Sequence, residues 1–155
     1  MKKIIYIFLD IDGVLNNTNQ MVRNYKKYHK PLGTYSFNEK NIQKLSLLNK
    51  ILIKKYEVHY ILSSTWRLSS LGFKIAKERL RENGIELEGF TDKEWKQRGQ
   101  QILDYLHGLS YYRALAIDDD SFDIKPYENN KFKLIKTKTS KGLTYKNIID
   151  FLLKL

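Results

Sequence analysis

The sequence predicts an α/β fold in three layers, with helices on both faces of a central, mainly parallel sheet. Continuous apolar runs that read as buried strands alternate with stretches of helical periodicity. Three of those runs stop abruptly at polar residues: Asp10 and Asp12, Ser63, and Asp118 and Asp119. The first of them is continuously apolar rather than alternating, as in parallel strands covered on both sides.

Lys3 to Leu9 is the first strand. Residues 17–37 show no clear period and contain Pro31 and Gly33, so they read as a long connection with the character of a flap or lid. Asn38 to Lys55 reads as a helix capped by Asn38, with Ile42, Leu45, Leu48 and Leu52 as its apolar stripe. Glu57 to Leu62 is the second strand, running into Ser63-Ser64-Thr65-Trp66-Arg67. Ser69 or Ser70 caps a helix that closes at Asn83-Gly84. Ile85 to Phe90 is a short strand and Thr91 to Gln97 a polar connection. Gly99 to Leu106 is helical, with Ile102, Leu103 and Leu106 on one face. Ala114 to Ile117 and Lys131 to Ile135 are strands. Thr144 caps a last helix whose inner face is expected to be Ile148, Ile149, Leu152 and Leu153. His59 is expected to be a core-strand residue.

With 155 residues, 42% of them hydrophobic, the chain (1–155) reads as one domain with its own core. It contains no internal repeat. The absence of cysteine excludes disulfides and thiolate metal sites. No stretch approaches the ~20 apolar residues of a membrane span. The opening MKKIIYIFLD is too short in its apolar part for a signal peptide. A cytoplasmic, non-membrane protein is expected, monomer or dimer. The net charge is +11, from 28 Lys and Arg against 17 Asp and Glu. Either lysine-rich composition or attraction to a polyanion accounts for that. Arg23, Lys26, Lys27 and Lys30 are interleaved with Tyr25, Tyr28, Tyr35 and Phe37, a mixture that suits single-stranded nucleic acid. Lys131 to Lys146 adds six lysines with no acidic residue.

The chemistry lies in Asp10-Ile11-Asp12-Gly13. Residues two apart on a strand point the same way, so both carboxylates emerge together, and glycine lets the chain turn. Adjacent anions repel unless a cation sits between them. A hard divalent ion such as Mg²⁺, held by oxygen ligands, answers that need. In α/β folds such strand ends converge on one crevice. A carboxylate beside Mg²⁺ suits phosphoryl transfer: Asp10 attacks phosphorus, Asp12 handles protons, Asp118 completes the metal shell with Asp119 as a second ligand or an orienter, and Ser63 binds a phosphate oxygen.

These segments resemble the haloacid-dehalogenase superfamily of Mg²⁺-dependent phosphatases. FLDIDGVLN (Phe8 to Asn16) is similar to its first motif, ILSS (Ile61 to Ser64) to its second, and AIDDD (Ala116 to Asp120) to its fourth. The resemblance implies a Rossmann-like fold, Asp10 as nucleophile and Asp12 as general acid/base, with the backbone carbonyl of Asp12 near the metal. It implies Ser63 as phosphate binder, with Ser64 as the near alternative, and a metal set of Asp10, Asp12, Asp118 and Asp119. The third-motif cation is assigned to Arg98, with Lys96 and Lys93 as competitors. Gly13, Ser64, Arg67 and Lys96 are candidate substrate contacts. Arg67 is equally a salt-bridge partner, and Trp66 is either packing or a stacking platform.

LDIDGVLN, LSSTWR, RGQQILDYL, AIDDD and KGLT resemble a narrower subgroup associated with nucleic-acid repair, found in RNA-repair proteins, and more distantly the polynucleotide 3′-phosphatases. The two cap positions of the superfamily hold only short segments, so a capless, open site is expected. The preferred expectation is a phosphatase for phosphorylated DNA or RNA ends or nucleotides. Alternatives are a phosphatase for small metabolites or phosphoproteins, and a nucleic-acid-binding module with little turnover.

Overall fold

A computed structural model describes residues 1–29 and 35–155. Five strands, β1 (Lys3–Leu9), β2 (Tyr56–Leu62), β3 (Leu87–Phe90), β4 (Arg113–Asp118) and β5 (Phe132–Lys136), form one sheet in the order β3-β2-β1-β4-β5. Every pairing is parallel. The helices are α1 (Thr18–Tyr28), α2 (Glu39–Leu52), α3 (Ser70–Arg81), α4 (Arg98–Leu106) and α5 (Tyr145–Leu153).

Period-two alternation along β1 divides the core. Ile5, Ile7 and Leu9 face a cluster that includes Ile42, Leu45 and Leu48 of α2, Ala76 and Leu80 of α3, and Ile148 and Phe151 of α5. Phe8 faces the other way, toward Ile61, Ala116, and Ile102 and Leu106 of α4. These are the three layers expected. From β1 the chain builds the sheet outward to β2 and β3, then returns to β1's other side for β4 and β5. The strand order therefore reverses between β1 and β4, where α/β sheets open a crevice at their carboxyl ends. No cap domain intervenes among the described residues: only a 3₁₀ turn (Thr65–Leu68), α3 and β3 lie between β2 and α4.

Three expectations need correction. Residues 18–28 are helical, not loop. Asn17 caps α1 by accepting from Gln20 N–H; Met21, Val22, Tyr25 and Tyr28 fall at helical spacing on it, but all four are exposed and none of its residues is buried. Lys30, Pro31 and Gly33 of the expected flap lie outside the described residues. Helix α5 buries Asn147, Ile148 and Phe151, whereas Ile149, Leu152 and Leu153 are exposed; its polar Asn147 belongs to the inner face. His59 is only half-buried, stacked on Tyr6 and bonded to Glu57 and Glu88 at the sheet surface.

A web of amides fastens the loops around the crevice. Asn38 caps α2, accepting from Asn41 N–H at 3.1 Å. The buried Asn41 side chain accepts from Asn17 Nδ2 at 2.9 Å and donates to the carbonyls of Lys141 and Leu143 at 3.1 and 3.0 Å. Gly142 passes so close to Asn41 and to the Val14 carbonyl that a Cβ would lie 2.8 Å from both, and its φ is +65°. Helix α5 begins with a capping box between Thr144 and Asn147.

Removing the Asn41 side chain leaves the buried Leu143 carbonyl, the part-buried Lys141 carbonyl and the Asn17 amide without that partner. Asn41→Ala is expected to cost about 1–3 kcal/mol or more of stability in urea unfolding; a loss near zero would contradict this account of the web.

Candidate active site

The carboxyl ends of β1 and β4 lie side by side. Asp10 N–H donates to the Ile117 carbonyl at 3.0 Å, so the backbone after β1 is tied to β4 one residue before Asp118. Asp10, Asp118 and Asp119 each present a carboxylate oxygen within 4.8 Å of the others. Asp10 and Asp118 are buried, and Asp119 is half-buried. Asp10, Asp12, Thr65, Arg98 and Asp118 to Asp120, with Asp123, line a cavity of about 230 Å³.

One cation serves the two buried carboxylates. Arg98 Nη1 lies 3.5 Å from Asp10 Oδ1 and 3.2 Å from Asp118 Oδ2, and also donates to the Ser63 carbonyl. The guanidinium thus touches the ends of β1, β2 and β4 together. Its backbone is fixed as well: Arg98 N–H donates to Asp123 Oδ2 at 2.9 Å, which supplies α4 with the cap that Gln97 does not. Of the third-motif candidates, Arg98 is the one that lines the carboxylate cavity. Lys96 instead lies 3.5, 3.4 and 3.2 Å from Asp92, Glu94 and Asp104.

A single guanidinium does not balance two buried anions. Burial, and then the charge of Asp118, hold the Asp10 carboxyl well above the usual carboxylate range, against the pull of Arg98. Burial pushes Asp118 up to about 6, again with Arg98 opposing. Burial disfavours the charged guanidinium of Arg98, but Asp118 and Asp10 together outweigh that and raise it. The donor set is three hard oxygens in surplus negative charge, which is the chemistry Mg²⁺ accepts. Ser63 adds an independent sign: its hydroxyl is buried and has no hydrogen-bond partner among the described residues. An orphaned buried hydroxyl is costly unless a ligand oxygen completes it.

The other expected site residues divide. The carboxylate of Asp12 stands outside the three-carboxylate cluster. It accepts from Asn16 Nδ2 at 2.8 Å and from Trp66 Nε1 at 3.1 Å, and so is held at the cavity mouth. Gly13 spends its backbone internally: its N–H donates to Asn16 Oδ1, its carbonyl accepts from Thr137, and a Cβ would strike Asp119 Oδ2 at 2.1 Å. Its φ of +77° makes it the turn that lets Asp119 approach. Ser64 caps the 3₁₀ turn by accepting from Trp66 N–H.

Arg67 forms no salt bridge among the described residues, and its bonds are to neutral groups. It is buried and donates to the Ser64 and Asp92 carbonyls and to Gln101 Oε1, tying the end of β2 to the 91–97 connection and to α4. Trp66 both packs, edge-on against Tyr35 and Phe37, and orients Asp12. Sequence reasoning assigned no role to Asn16 or to Thr139, whose hydroxyl donates to Asp119 Oδ2 at 2.6 Å. Asn16 closes the quoted first motif, and a turn-forming Asx residue after Asp-Gly was the available signal.

Compared with known protein families, residues 6–148 match the model described as "HAD domain in Swiss Army Knife RNA repair proteins". A search of curated proteins finds no match to this chain.

The raised carboxyl groups set a pH dependence for the metal-free protein. A folded-state pKa above the unfolded value means that the native state binds the extra proton, so this stability is full below about 4 and is lost as pH rises through about 6 for Asp118. Asp10→Asn removes the repulsion without changing shape. It is expected to raise the metal-free thermal midpoint at pH 8 by roughly 2–4 °C per kcal/mol relieved, and to raise it less as the pH is lowered and the acids take up protons. A midpoint lowered at pH 8 would mean that pairing with Arg98 outweighs repulsion by Asp118.

Proposed function

The chain belongs to the family of HAD domains in Swiss Army Knife RNA repair proteins, and on that footing we propose that it is a Mg²⁺-dependent phosphomonoesterase acting on phosphorylated nucleic-acid ends. One observation carries the chemistry: three carboxylates from two adjacent parallel strands meet within 4.8 Å beside a guanidinium. Asp10, Asp118 and Asp119 are the residues that would hold Mg²⁺. The ion, when bound, shields the attacking carboxylate from the phosphate it attacks and withdraws charge from the phosphoryl oxygens.

The chain's own groups carry the steps. Arg98, reaching across the cavity, and the unpartnered Ser63 hydroxyl take the non-reacting phosphoryl oxygens. An Asp10 oxygen attacks phosphorus; the bond to the leaving alkoxide breaks, and Asp12 gives that alkoxide its proton. This leaves an aspartyl-phosphate on Asp10 and a carboxylate on Asp12. Asp12 then takes a proton from water as the water oxygen attacks the same phosphorus. Inorganic phosphate leaves and Asp10 is regenerated. Asn16 and Trp66 keep Asp12 over the cavity in both halves.

Openness and charge support the substrate class. With no cap domain among the described residues, a long chain end has access. A second cavity, of about 250 Å³, is lined by Arg23, Lys40, Lys44 and Lys141 among amides and hydroxyls and by no carboxylate. The loop after β5 links the two: Thr137 and Thr139 bond to Gly13 and Asp119, and Ser140 and Lys141 line the basic cavity. Backbone phosphates flanking the scissile one suit that neighbour.

The test is release of inorganic phosphate from 3′- and 5′-phosphorylated oligonucleotides, set against mononucleotides and sugar phosphates. Mg²⁺-dependent release that favours oligonucleotides is expected, abolished by EDTA and reduced about 10³-fold or more by Asp10→Asn. Equal turnover of sugar phosphates would favour the small-metabolite reading; unaltered release by Asp10→Asn would remove the mechanism.

A further inference from the structure

The loops flanking Arg98 form a third cavity, of about 460 Å³, which shares Thr65, Arg98, Asp120 and Asp123 with the carboxylate cavity. Its volume falls within the range of about 300–1,000 Å³ usual for small-ligand sites. Two large aromatic rings line it, and both are displayed to solvent: Trp95 is fully exposed and Phe122 is 84% exposed. Neither ring contributes to the core clusters.

The backbone beneath these exposed rings is pinned. Gln101 Nε2 donates to the Glu94 carbonyl at 2.9 Å, and Glu94 N–H donates to Asp92 Oδ1 at 3.0 Å. The Lys96 ammonium gathers Asp92, Glu94 and Asp104 around the same turn. On the other side, Asp120 N–H donates to Asp118 Oδ1 and Phe122 N–H to Asp120 Oδ1, each at 2.9 Å. The Phe122 ring is thus two hydrogen bonds away from a carboxylate of the reaction centre. Tyr127 donates to Gln97 Oε1 at 2.6 Å and Gly99 N–H to the Asp123 carbonyl at 2.9 Å, joining the two loops. Rings exposed on a fixed backbone are preorganised to be covered by something flat.

The charge of the lining selects the occupant. Lys93, Lys96, Arg67 and Arg98 are opposed by Glu94, Asp120 and Asp123, so all but one of the cleft's positive charges is offset by a carboxylate. It differs in that from the basic cavity on the other side. A neutral, planar group fits the lining, and it must be covalently next to the phosphoryl group at Arg98. We infer that the Trp95/Phe122 cleft seats the nucleobase of the nucleotide that bears the scissile phosphate. The base stacks on exposed aromatic faces while the sugar crosses from this cleft to Asp10. Stacking tolerates any base, so the cleft recognises the presence of a base rather than its identity.

This inference rests on the reading of the substrate as a nucleic-acid end, and the test separates the two. The probes are two short, fluorescently labelled single-stranded RNAs with 3′-phosphates, identical except that one ends in an abasic nucleotide. Binding is measured by anisotropy to Asp10→Asn protein with Mg²⁺, so turnover plays no part. The base-bearing strand is expected to bind about 5- to 100-fold more tightly than the abasic one. Adding Trp95→Ala should bring that ratio close to unity, whereas Trp95→Phe should retain much of it; Phe122→Ala should lower it. Trp95 is solvent-exposed, so its removal leaves the core intact. If both strands bind Asp10→Asn equally well, or if the ratio ignores Trp95 and Phe122, the cleft is not the base seat and the nucleic-acid reading stands. If neither strand binds, the nucleic-acid reading fails and takes the cleft with it.

Discussion

Two buried carboxylates at the ends of neighbouring parallel strands are the constraint around which the site is organised. Parallel pairing of β1 with β4 brings Asp10 and Asp118 together, and burial deprives both of the water that would screen them. Like charges in that setting raise each other's proton affinity unless cations intervene. Arg98 intervenes for one charge and is raised in turn by both acids. The remaining negative charge is the electrostatic basis for reading the trio with Asp119 as a divalent metal seat. The same imbalance that makes the metal-free site unfavourable would favour a small, hard, doubly charged ion there.

The rest of the site keeps that arrangement rigid and gives each loop a place. The glycine turn at residue 13 brings the main chain against Asp119, and Thr137 and Thr139 hold both from the loop after β5. Asn41 locks that loop to the start of α2 and to Asn17. Arg67 performs the equivalent task on the opposite wall, joining β2, the 91–97 connection and α4. One arginine is therefore a reagent-facing cation and the other a fastener. The difference lies in their partners: Arg98 faces two carboxylates, and Arg67 faces two carbonyls and an amide. Functional geometry here is built from neutral hydrogen bonds around a small charged centre.

The strands and their order of chemistry were legible because each is a run of apolar residues ended by a polar one. Asp10, Ser63 and Asp118 could be placed at one crevice from that alone, and Arg98 at the start of α4 from its position before a helical stripe. Helix α1 was missed although Asn17 caps it and Met21, Val22, Tyr25 and Tyr28 recur at helical spacing; it buries nothing, and its polar and basic residues gave the segment the character of a loop. The α5 face was misread because Asn147 turns inward to bond the Lys136 carbonyl, so a hydrophobic stripe pointed the wrong way. Arg67, Trp66 and Asn16 show the limit most clearly. Their roles depend on which atom each side chain reaches across the fold, and residue type and spacing do not encode that.

The central claim is that Asp10, Asp118 and Asp119 together bind one divalent cation. Crystals grown with Mn²⁺ in place of Mg²⁺ test it directly through the metal's anomalous scattering. The account predicts a single strong peak in contact with carboxylate oxygens of Asp10 and Asp118, with Asp119 beside it, and no such peak in Asp118→Asn crystals. A peak seated elsewhere, or wild-type crystals in which Arg98 alone bridges the acids at saturating Mn²⁺, would contradict it.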